Sequence, residues 1–359
     1  MSILDDLYSK HGQSPWLDNL RRSWLQDGEI QRRIDEGVRG LTSNPSIFQK
    51  AITSDTTYDE QFFDLVAAGT DIEDAYWALV TQDISDALAL LDPVYTSAGG
   101  KDGFVSVEVS PALAHDTFAT IEAAKGLAKS LPQPNLLIKI PATLEGLPAI
   151  TATIAAGSCV NVTLIFGLER YEAVIEAYLQ GLEQREGDLS TLHSVASFFV
   201  SRVDTKVDAF LEDIGTAEAL ALRGSAAVAQ ARQAFVIASQ KFSGARWDSL
   251  HARGANAQRP LWASTSTKNP AYPDTLYVDS LIGPNTVNTI PDATLDAFID
   301  HGVLADTIET GKPAEVLKQL AAAGIDMQQV ADELEKEGVA SFLAAHEDLL
   351  DSLREKAAR

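Results

Sequence analysis

Short apolar segments alternate with longer amphipathic segments along this chain. The short segments are rich in Val, Ile, Leu and aromatic residues, a composition typical of buried strands. Strands that alternate with helices form parallel sheets in which each crossover contains a helix. We predict about eight strands, over Pro15–Asp18, Gly40–Ser43, Phe104–Ser110, Asn135–Pro141, Cys159–Phe166, Val195–Val203, Leu261–Thr267 and Thr275–Ile282.

The segments between these strands carry apolar residues at helical spacing. The strongest helical pattern, Ala217–Phe242, is rich in alanine and contains no proline. The last part of the chain, about 310–359, is predicted to be helical with a break at Gly338. Asn44 precedes Pro45, an arrangement typical of a helix N-cap followed by proline in the first turn.

Eight strands separated by helices favour a (β/α)8 TIM barrel with additional helices. A length of 359 residues would ordinarily suggest two domains, but barrels of this class exceed 250 residues as one unit. We therefore expect a single domain over residues 1–359, including the C-terminal helical segment. The alternative is a doubly wound open sheet, which usually binds phosphate with a glycine-rich turn after an early strand. The chain has neither a G-x-G-x-x-G motif nor a P-loop.

Composition excludes several classes of function. The chain has 28 Lys+Arg and 51 Asp+Glu, a net charge of −23, which disfavours nucleic acid and anionic membrane surfaces as partners. One cysteine cannot form an internal disulfide, and the first residues lack the basic and apolar blocks of a signal peptide. We expect a cytoplasmic protein. Its six histidines show no metal-ligand spacing, so no metal site is expected.

Lys139 is the most distinctive candidate for chemistry. It is the only charged residue in the apolar run LLIKIP, residues 136–141, which is predicted to be a buried parallel strand. Burial favours the neutral form of an amine, and the neutral amine is the form that attacks a carbonyl group. The alternative is a lysine at a strand end whose ammonium group reaches solvent or pairs with a carboxylate.

Two carboxylates lie at similar positions. Glu108 lies among valines and shares one strand face with Ser106 and Ser110, so it is either a general acid/base or an ion-pair partner of Lys139. Asp18 follows the first predicted strand, where it is either a site residue or the N-cap of the next helix.

Polar residues at the ends of other strands complete the candidate site, because barrel active sites lie at the carboxyl ends of the strands. Asn161 and Thr163 point to the same face and either bind substrate hydroxyls or form a buried network. Ser197 is a further polar residue at a strand end. Arg202, which follows the segment SFFVS, and Lys268, at the end of the donor-rich segment STSTK, either bind an anion or are solvated surface residues.

Taken together, these segments closely resemble the signatures of the transaldolases. Residues 40–48, GLTSNPSIF, resemble the family's first signature, and residues 136–143, LLIKIPAT, resemble its Schiff-base lysine signature. The segments 107–109, 161–164 and 197–202 follow in the family's order, so the resemblance covers residues 18 to about 291. It implies a (β/α)8 barrel that needs no cofactor or metal, because the protonated Schiff base itself accepts the electron pair.

The implied reaction moves a dihydroxyacetone unit between sugar phosphates in the pentose phosphate pathway. Sedoheptulose 7-phosphate and glyceraldehyde 3-phosphate are interconverted with fructose 6-phosphate and erythrose 4-phosphate. By resemblance, Lys139 forms the Schiff base, Glu108 acts as acid/base through a water that Thr163 positions, and Asp18 takes the C4 hydroxyl proton. The remaining implied contacts are to the substrate's hydroxyl groups (Asn44, Asn161, Ser197) and its phosphate (Arg202).

The chain departs from the better-known branch of the family at several positions. Phe198 and Ser201 replace proline and glycine, and the second phosphate-binding arginine has no clear counterpart, although Lys268 can replace it. The pattern is closer to that of the longer bacterial transaldolases. The alternatives are a fructose 6-phosphate aldolase, which releases free dihydroxyacetone, and a barrel that only binds ligands. Oligomeric state cannot be predicted from the sequence.

Overall fold

Eight parallel strands close into one barrel in the order of the sequence, so the predicted (β/α)8 TIM barrel is confirmed. The computed structural model describes residues 2–358. The strands are β1 Gln13–Leu17, β2 Leu41–Thr42, β3 Val105–Glu108, β4 Leu136–Pro141, β5 Val160–Ile165, β6 Ser194–Phe199, β7 Arg259–Ala263 and β8 Thr286–Ile290.

Helices surround the barrel, and two 3₁₀ turns lie at Thr56–Tyr58 and Pro111–Leu113. None of the helices between residues 2 and 358 combines the length and hydropathy that a membrane crossing requires. The helices are α1 Ile3–His11, α2 Arg22–Gln26, α3 Glu29–Asp35, α4 Pro45–Ser54, α5 Asp59–Ala67, α6 Ile72–Ser97, α7 Thr117–Ser130, α8 Gly146–Ala155, α9 Leu168–Gln184, α10 Ser201–Ile214, α11 Ala217–Leu220, α12 Ala226–Lys241, α13 Gly244–His251, α14 Leu276–Asp279, α15 Asp292–His301, α16 Pro313–Ala322 and α17 Met327–Ala357.

Almost every strand residue is buried, because one face of the sheet packs inside the barrel and the other against the helices. Strand register places the polar residues at common levels. Glu108 on β3 pairs with Lys139 on β4, and Lys139 in turn pairs with Asn161 on β5. Residues with the same orientation on neighbouring strands point into the barrel together. The register therefore brings these three side chains to one level of the interior.

The predicted eighth strand was wrong. Residues 275–282 contain helix α14, and the eighth strand is Thr286–Ile290. The buried residues Tyr277, Val278, Leu281 and Ile282 recur at helical spacing rather than alternating. The sixth strand also ends earlier than expected, at Phe199, because helix α10 starts at Ser201.

Two expectations about helices were also wrong. The predicted helix Ala217–Phe242 is divided into α11 and α12, because Gly224 adopts a left-handed conformation and its N–H donates to Asp208 Oδ1. The predicted break at Gly338 is absent from α17. A Cβ atom on Gly338 would lie 3.0 Å from the Leu164 side chain. This glycine therefore allows α17 to approach β5 closely.

Helix α17 packs against α4, α6, α10 and β5. Lys206 of α10 forms ion pairs with Glu333 and Glu337 at 2.7 and 2.6 Å. His346 packs edge-on against Tyr76 of α6, with ring centroids 5.1 Å apart. These contacts support the prediction that the C-terminal helices belong to the same domain as the barrel.

We expect Gly40→Ala to destabilise the protein by about 1–3 kcal/mol, the usual effect of overpacking a core. A Cβ atom at Gly40 would lie 2.5 Å from the ring of Trp16, whose side chain is fully buried in the barrel. Gly126→Ala is the matched control. Gly126 lies in α7, and an added Cβ atom there would have no neighbour within 4 Å. The Gly126→Ala substitution is therefore predicted to stabilise the protein by about 0.5–1 kcal/mol. Chemical denaturation measures both effects, and equal stability of the two variants would contradict this packing.

Candidate active site

A cavity of about 470 Å³ opens at the carboxyl end of the strands. The structure brings most of the predicted site residues to its wall: Asp18, Asn44, Lys139, Thr163, Ser197, Arg202 and Lys268. Glu108 and Asn161 lie deeper and do not reach this wall. This position is where barrels of this class hold their active sites.

Lys139 lies at the floor of the cavity and is buried, with only 5% of its surface exposed. Its Nζ donates a hydrogen bond of 2.8 Å to the carbonyl oxygen of Ser43 and lies 3.3 Å from Glu108 Oε2. The contact with Glu108 is an ion pair without hydrogen-bond geometry, so Oε2 has no hydrogen-bond partner among the described residues. The pairing considered from the sequence therefore exists, within reach of the cavity.

Burial raises the pKa of Glu108 above its ordinary value, an effect that Lys139 opposes and Asp18 reinforces. A cavity of about 10 Å³, room for about one water, lies beside Glu108 and Tyr76. A carboxyl group with a raised pKa gives up and takes back protons nearer neutral pH, which suits an acid/base.

Asp18 is not the N-cap of the following helix, because α2 starts at Arg22 and is preceded by Arg21. Its Oδ1 instead accepts a hydrogen bond of 2.8 Å from the Thr42 hydroxyl across the barrel interior. The side chain keeps some contact with the cavity, yet surrounding protein raises its pKa through desolvation. Lys139 and the Thr42 hydroxyl oppose this rise by stabilising the ionised form.

Asn161 lies in a buried network below the cavity wall. Its Nδ2 donates to Ser106 Oγ at 3.0 Å, and its Oδ1 accepts from Ser197 Oγ at 2.7 Å. The network alternative considered for Asn161 is therefore present, and Asn161 holds the Ser197 side chain that lines the cavity.

Thr163 behaves differently from Asn161. Its hydroxyl is buried and has no hydrogen-bond partner among the described residues. The register between β5 and β6 shifts between Val162 and Ile165, the stretch that contains Thr163, and Leu164 has a φ of 60°. Positive φ at a non-glycine residue and bulges next to a site are backbone features that commonly aim functional side chains.

Asn44 is the N-cap of α4, as one of its two sequence interpretations predicted. Its Oδ1 accepts a hydrogen bond of 3.0 Å from the Ile47 N–H. The residue also lines the cavity, which leaves its amide nitrogen as a donor towards the interior. The two interpretations of Asn44 are therefore compatible.

Four cations surround the mouth of the cavity although the protein is strongly acidic. Arg202 and Lys268 were candidates from the sequence, whereas Arg21 and Lys50 were missed. Both missed residues follow a strand closely, Arg21 after β1 and Lys50 in α4 after β2, and this placement is the signal that could have identified them. Burial lowers the pKa of Lys268, and the neighbouring Arg202 and Lys50 lower it further. All four cations line the same cavity.

The fold and the site define the class as a (β/α)8 barrel with a buried lysine and two carboxylates beneath a cationic mouth. The family described as transaldolase/fructose-6-phosphate aldolase matches residues 15–353. This chain belongs to that family.

Curated relatives match over nearly their whole length. A transaldolase of Parafrankia sp. is 51% identical over 98% of this chain and 97% of its own length. A transaldolase of Mycolicibacterium smegmatis is 51% identical, covering 96% and 95% of the two chains. Transaldolase 1 of Streptomyces coelicolor is also 51% identical, covering 94% and 91%.

We expect Thr42→Val to move the acidic limb of the kcat/KM profile about one pH unit higher. The Thr42 hydroxyl stabilises the ionised Asp18, so its removal raises the pKa of that carboxyl, and activity that needs the ionised form is lost at a higher pH. Thr289→Val is the control. Thr289 Oγ1 lies 2.5 Å from the Thr42 hydroxyl, and this substitution leaves the Thr42 hydroxyl itself in place. An acidic limb that does not move in Thr42→Val would mean that Asp18 does not control it.

Proposed function

We propose that this protein is a transaldolase that transfers a dihydroxyacetone unit from a ketose phosphate to an aldose phosphate. The observation that carries this proposal is the pairing of buried Lys139 with Glu108 at the floor of a cavity whose mouth is cationic. The donor and acceptor pairs are those named by the sequence resemblance, fructose 6-phosphate with erythrose 4-phosphate and sedoheptulose 7-phosphate with glyceraldehyde 3-phosphate.

The cations at the mouth bind the phosphate group of the substrate in this proposal. Arg202 lies in the first turn of α10, where the positive end of the helix dipole adds to its charge. Ser201 Oγ and Ser264 Oγ are 2.9 Å apart and tie the start of α10 to the end of β7. Lys268 lies on the same β7 side of the mouth, which supports its assignment as a second phosphate ligand.

Lys139 forms the Schiff base with the ketose. In the first step the Lys139 ammonium group passes a proton to Glu108 Oε2, 3.3 Å away. The neutral amine then attacks the C2 carbonyl, and the resulting carbinolamine loses the C2 oxygen as water. The proton that this water requires comes from Glu108, whose raised pKa supports a proton-donating role. The unpartnered oxygens Glu108 Oε2 and Thr163 Oγ1 are suited to hold the water that relays the proton.

Asp18 acts at the bond that breaks. As an ionised base it takes the C4 hydroxyl proton, the C3–C4 bond breaks, and the electron pair moves into the protonated Schiff base to give an enamine. The aldehyde fragment leaves with its phosphate. An acceptor aldose then binds, and the same steps run in reverse with Asp18 returning its proton. Ser197 and Asn44 hold the dihydroxyacetone hydroxyls on Lys139 in the interval.

Three expectations from the sequence extend the proposal. We assign the activity to the pentose phosphate pathway and to the cytoplasm, and we treat the full chain as one catalytic domain. Packing of α17 against α4, whose N-cap is Asn44, supports the last of these. Lysis without an acceptor, the alternative considered from the sequence, has no observation in its favour.

The test is the release of glyceraldehyde 3-phosphate from fructose 6-phosphate with and without erythrose 4-phosphate. We expect repeated turnover only with the acceptor and at most one equivalent of glyceraldehyde 3-phosphate per active site without it. The kcat of Glu108→Gln should be about 10²–10⁴-fold lower because the acid/base is lost. Glu122→Gln, an exposed carboxylate on α7, is the matched control and should be unaffected. Equal turnover without acceptor would show that the enzyme is an aldolase, and full activity of Glu108→Gln would remove Glu108 from the mechanism.

A further inference from the structure

A second cavity, which we call the lower cavity, lies at the opposite end of the barrel and has a volume of about 690 Å³. Its walls are formed by residues at the amino ends of the strands, including Phe104 before β3, Arg259 at the start of β7 and Asn285 before β8. The lower cavity is larger than the one that contains Lys139, and its size is typical of small-molecule sites.

The lower cavity is free of acidic residues although 51 of the 359 residues are Asp or Glu. Two cations, Lys101 and Arg259, are among its lining residues, all of which lie within residues 2–358. In a chain with a net charge of −23, this combination concentrates positive potential at one place.

The charge of Arg259 is only partly compensated. Its nearest carboxylate is Asp102, 3.8 Å away, but Asp102 already accepts hydrogen bonds from Arg39 Nε at 3.2 Å, Trp16 Nε1 at 3.0 Å and Ser14 Oγ. Within the described chain, the Arg259 side chain donates no hydrogen bond and lies over the Trp16 ring. Its N–H donors are therefore free to bind an anion.

The ammonium group of Lys101 is also available to bind an anion. Its side chain is exposed, and its ammonium group forms no ion pair or hydrogen bond with any residue from 2 to 358. Both cations contribute to lowering the pKa of His193, which burial depresses to about 4, so this imidazole is neutral near pH 7. Asp102 opposes this effect, and Lys101, Arg259 and His193 all line the lower cavity.

The remaining walls are rich in aromatic rings. Tyr8, Phe104, Phe235 and Phe242 line the lower cavity together with the neutral ring of His193. Faces of such rings bind planar aromatic groups by stacking. A ligand that matches both parts of the wall combines a phosphate group with an aromatic ring.

We propose that the lower cavity binds a small aromatic dianion of the nucleoside monophosphate class, with its phosphate between Lys101 and Arg259 and its base among the aromatic rings. This site is separate from the transaldolase site and does not depend on that function. The two cations exceed the available negative charge, which favours a dianion over a neutral nucleoside.

Isothermal titration calorimetry of the full-length protein tests the proposal, with adenosine 5′-monophosphate as the probe. Inorganic phosphate and adenosine separate the contributions of the two parts of the ligand, and each should bind more weakly than the nucleotide. We expect Lys101→Gln to weaken nucleotide binding about tenfold, as for loss of one charge-assisted contact. Lys318→Gln, an exposed lysine on α16, is the matched control and should bind as the original protein does.

Two further variants locate the ligand. Ser239→Trp places a large side chain at the wall of the lower cavity and should abolish binding while leaving the kinetics with sugar phosphates unchanged. Arg202→Gln should weaken sugar-phosphate binding and leave nucleotide binding intact. No detectable nucleotide binding, equal affinity in Lys101→Gln, or loss of binding in Arg202→Gln would each overturn the proposal.

Discussion

The burial of Lys139 beside Glu108 inside a closed barrel is the constraint on which the site depends. A cation in a low-dielectric interior is stable only if hydrogen bonds and an opposite charge compensate for its lost hydration. The Ser43 carbonyl and Glu108 provide these contacts and also fix the position of the amine. Because β3 and β4 are paired in register, the partners are placed by the rigid sheet rather than by mobile loops.

The two carboxylates to which the proposal gives different tasks lie at different depths in the barrel. Desolvation raises the pKa of both carboxyl groups, but Glu108 lies deep beside the lysine, whereas Asp18 lies at the cavity, where the Thr42 hydroxyl favours the ionised form. The four cations assigned to phosphate binding in the proposal line the mouth, where solvent reduces the cost of bringing like charges together. An acidic protein can therefore bind anionic sugars, because the local charge at the cavity differs from that of the whole surface.

Sequence patterns predicted the barrel and most of the polar residues that line the cavity, because strand composition and single buried charges are local signals. They failed where structure depends on distant contacts. The segment around Tyr277 is predicted to be a strand but is helical, because hydrophobic periodicity alone does not distinguish a short apolar strand from a buried helical turn. Gly338 was interpreted as a break, whereas its role is contact with Leu164. Arg21 and Lys50 were missed because only folding brings them to the cavity of Arg202.

Borohydride trapping is the most direct measurement of the central claim that Lys139 is the nucleophile. The protein is incubated with fructose 6-phosphate, reduced and digested, and the added mass is located by mass spectrometry. The account predicts a reduced three-carbon adduct on Lys139 and none on a surface lysine such as Lys125. An unmodified Lys139 in folded protein, or an adduct on another lysine, would contradict it.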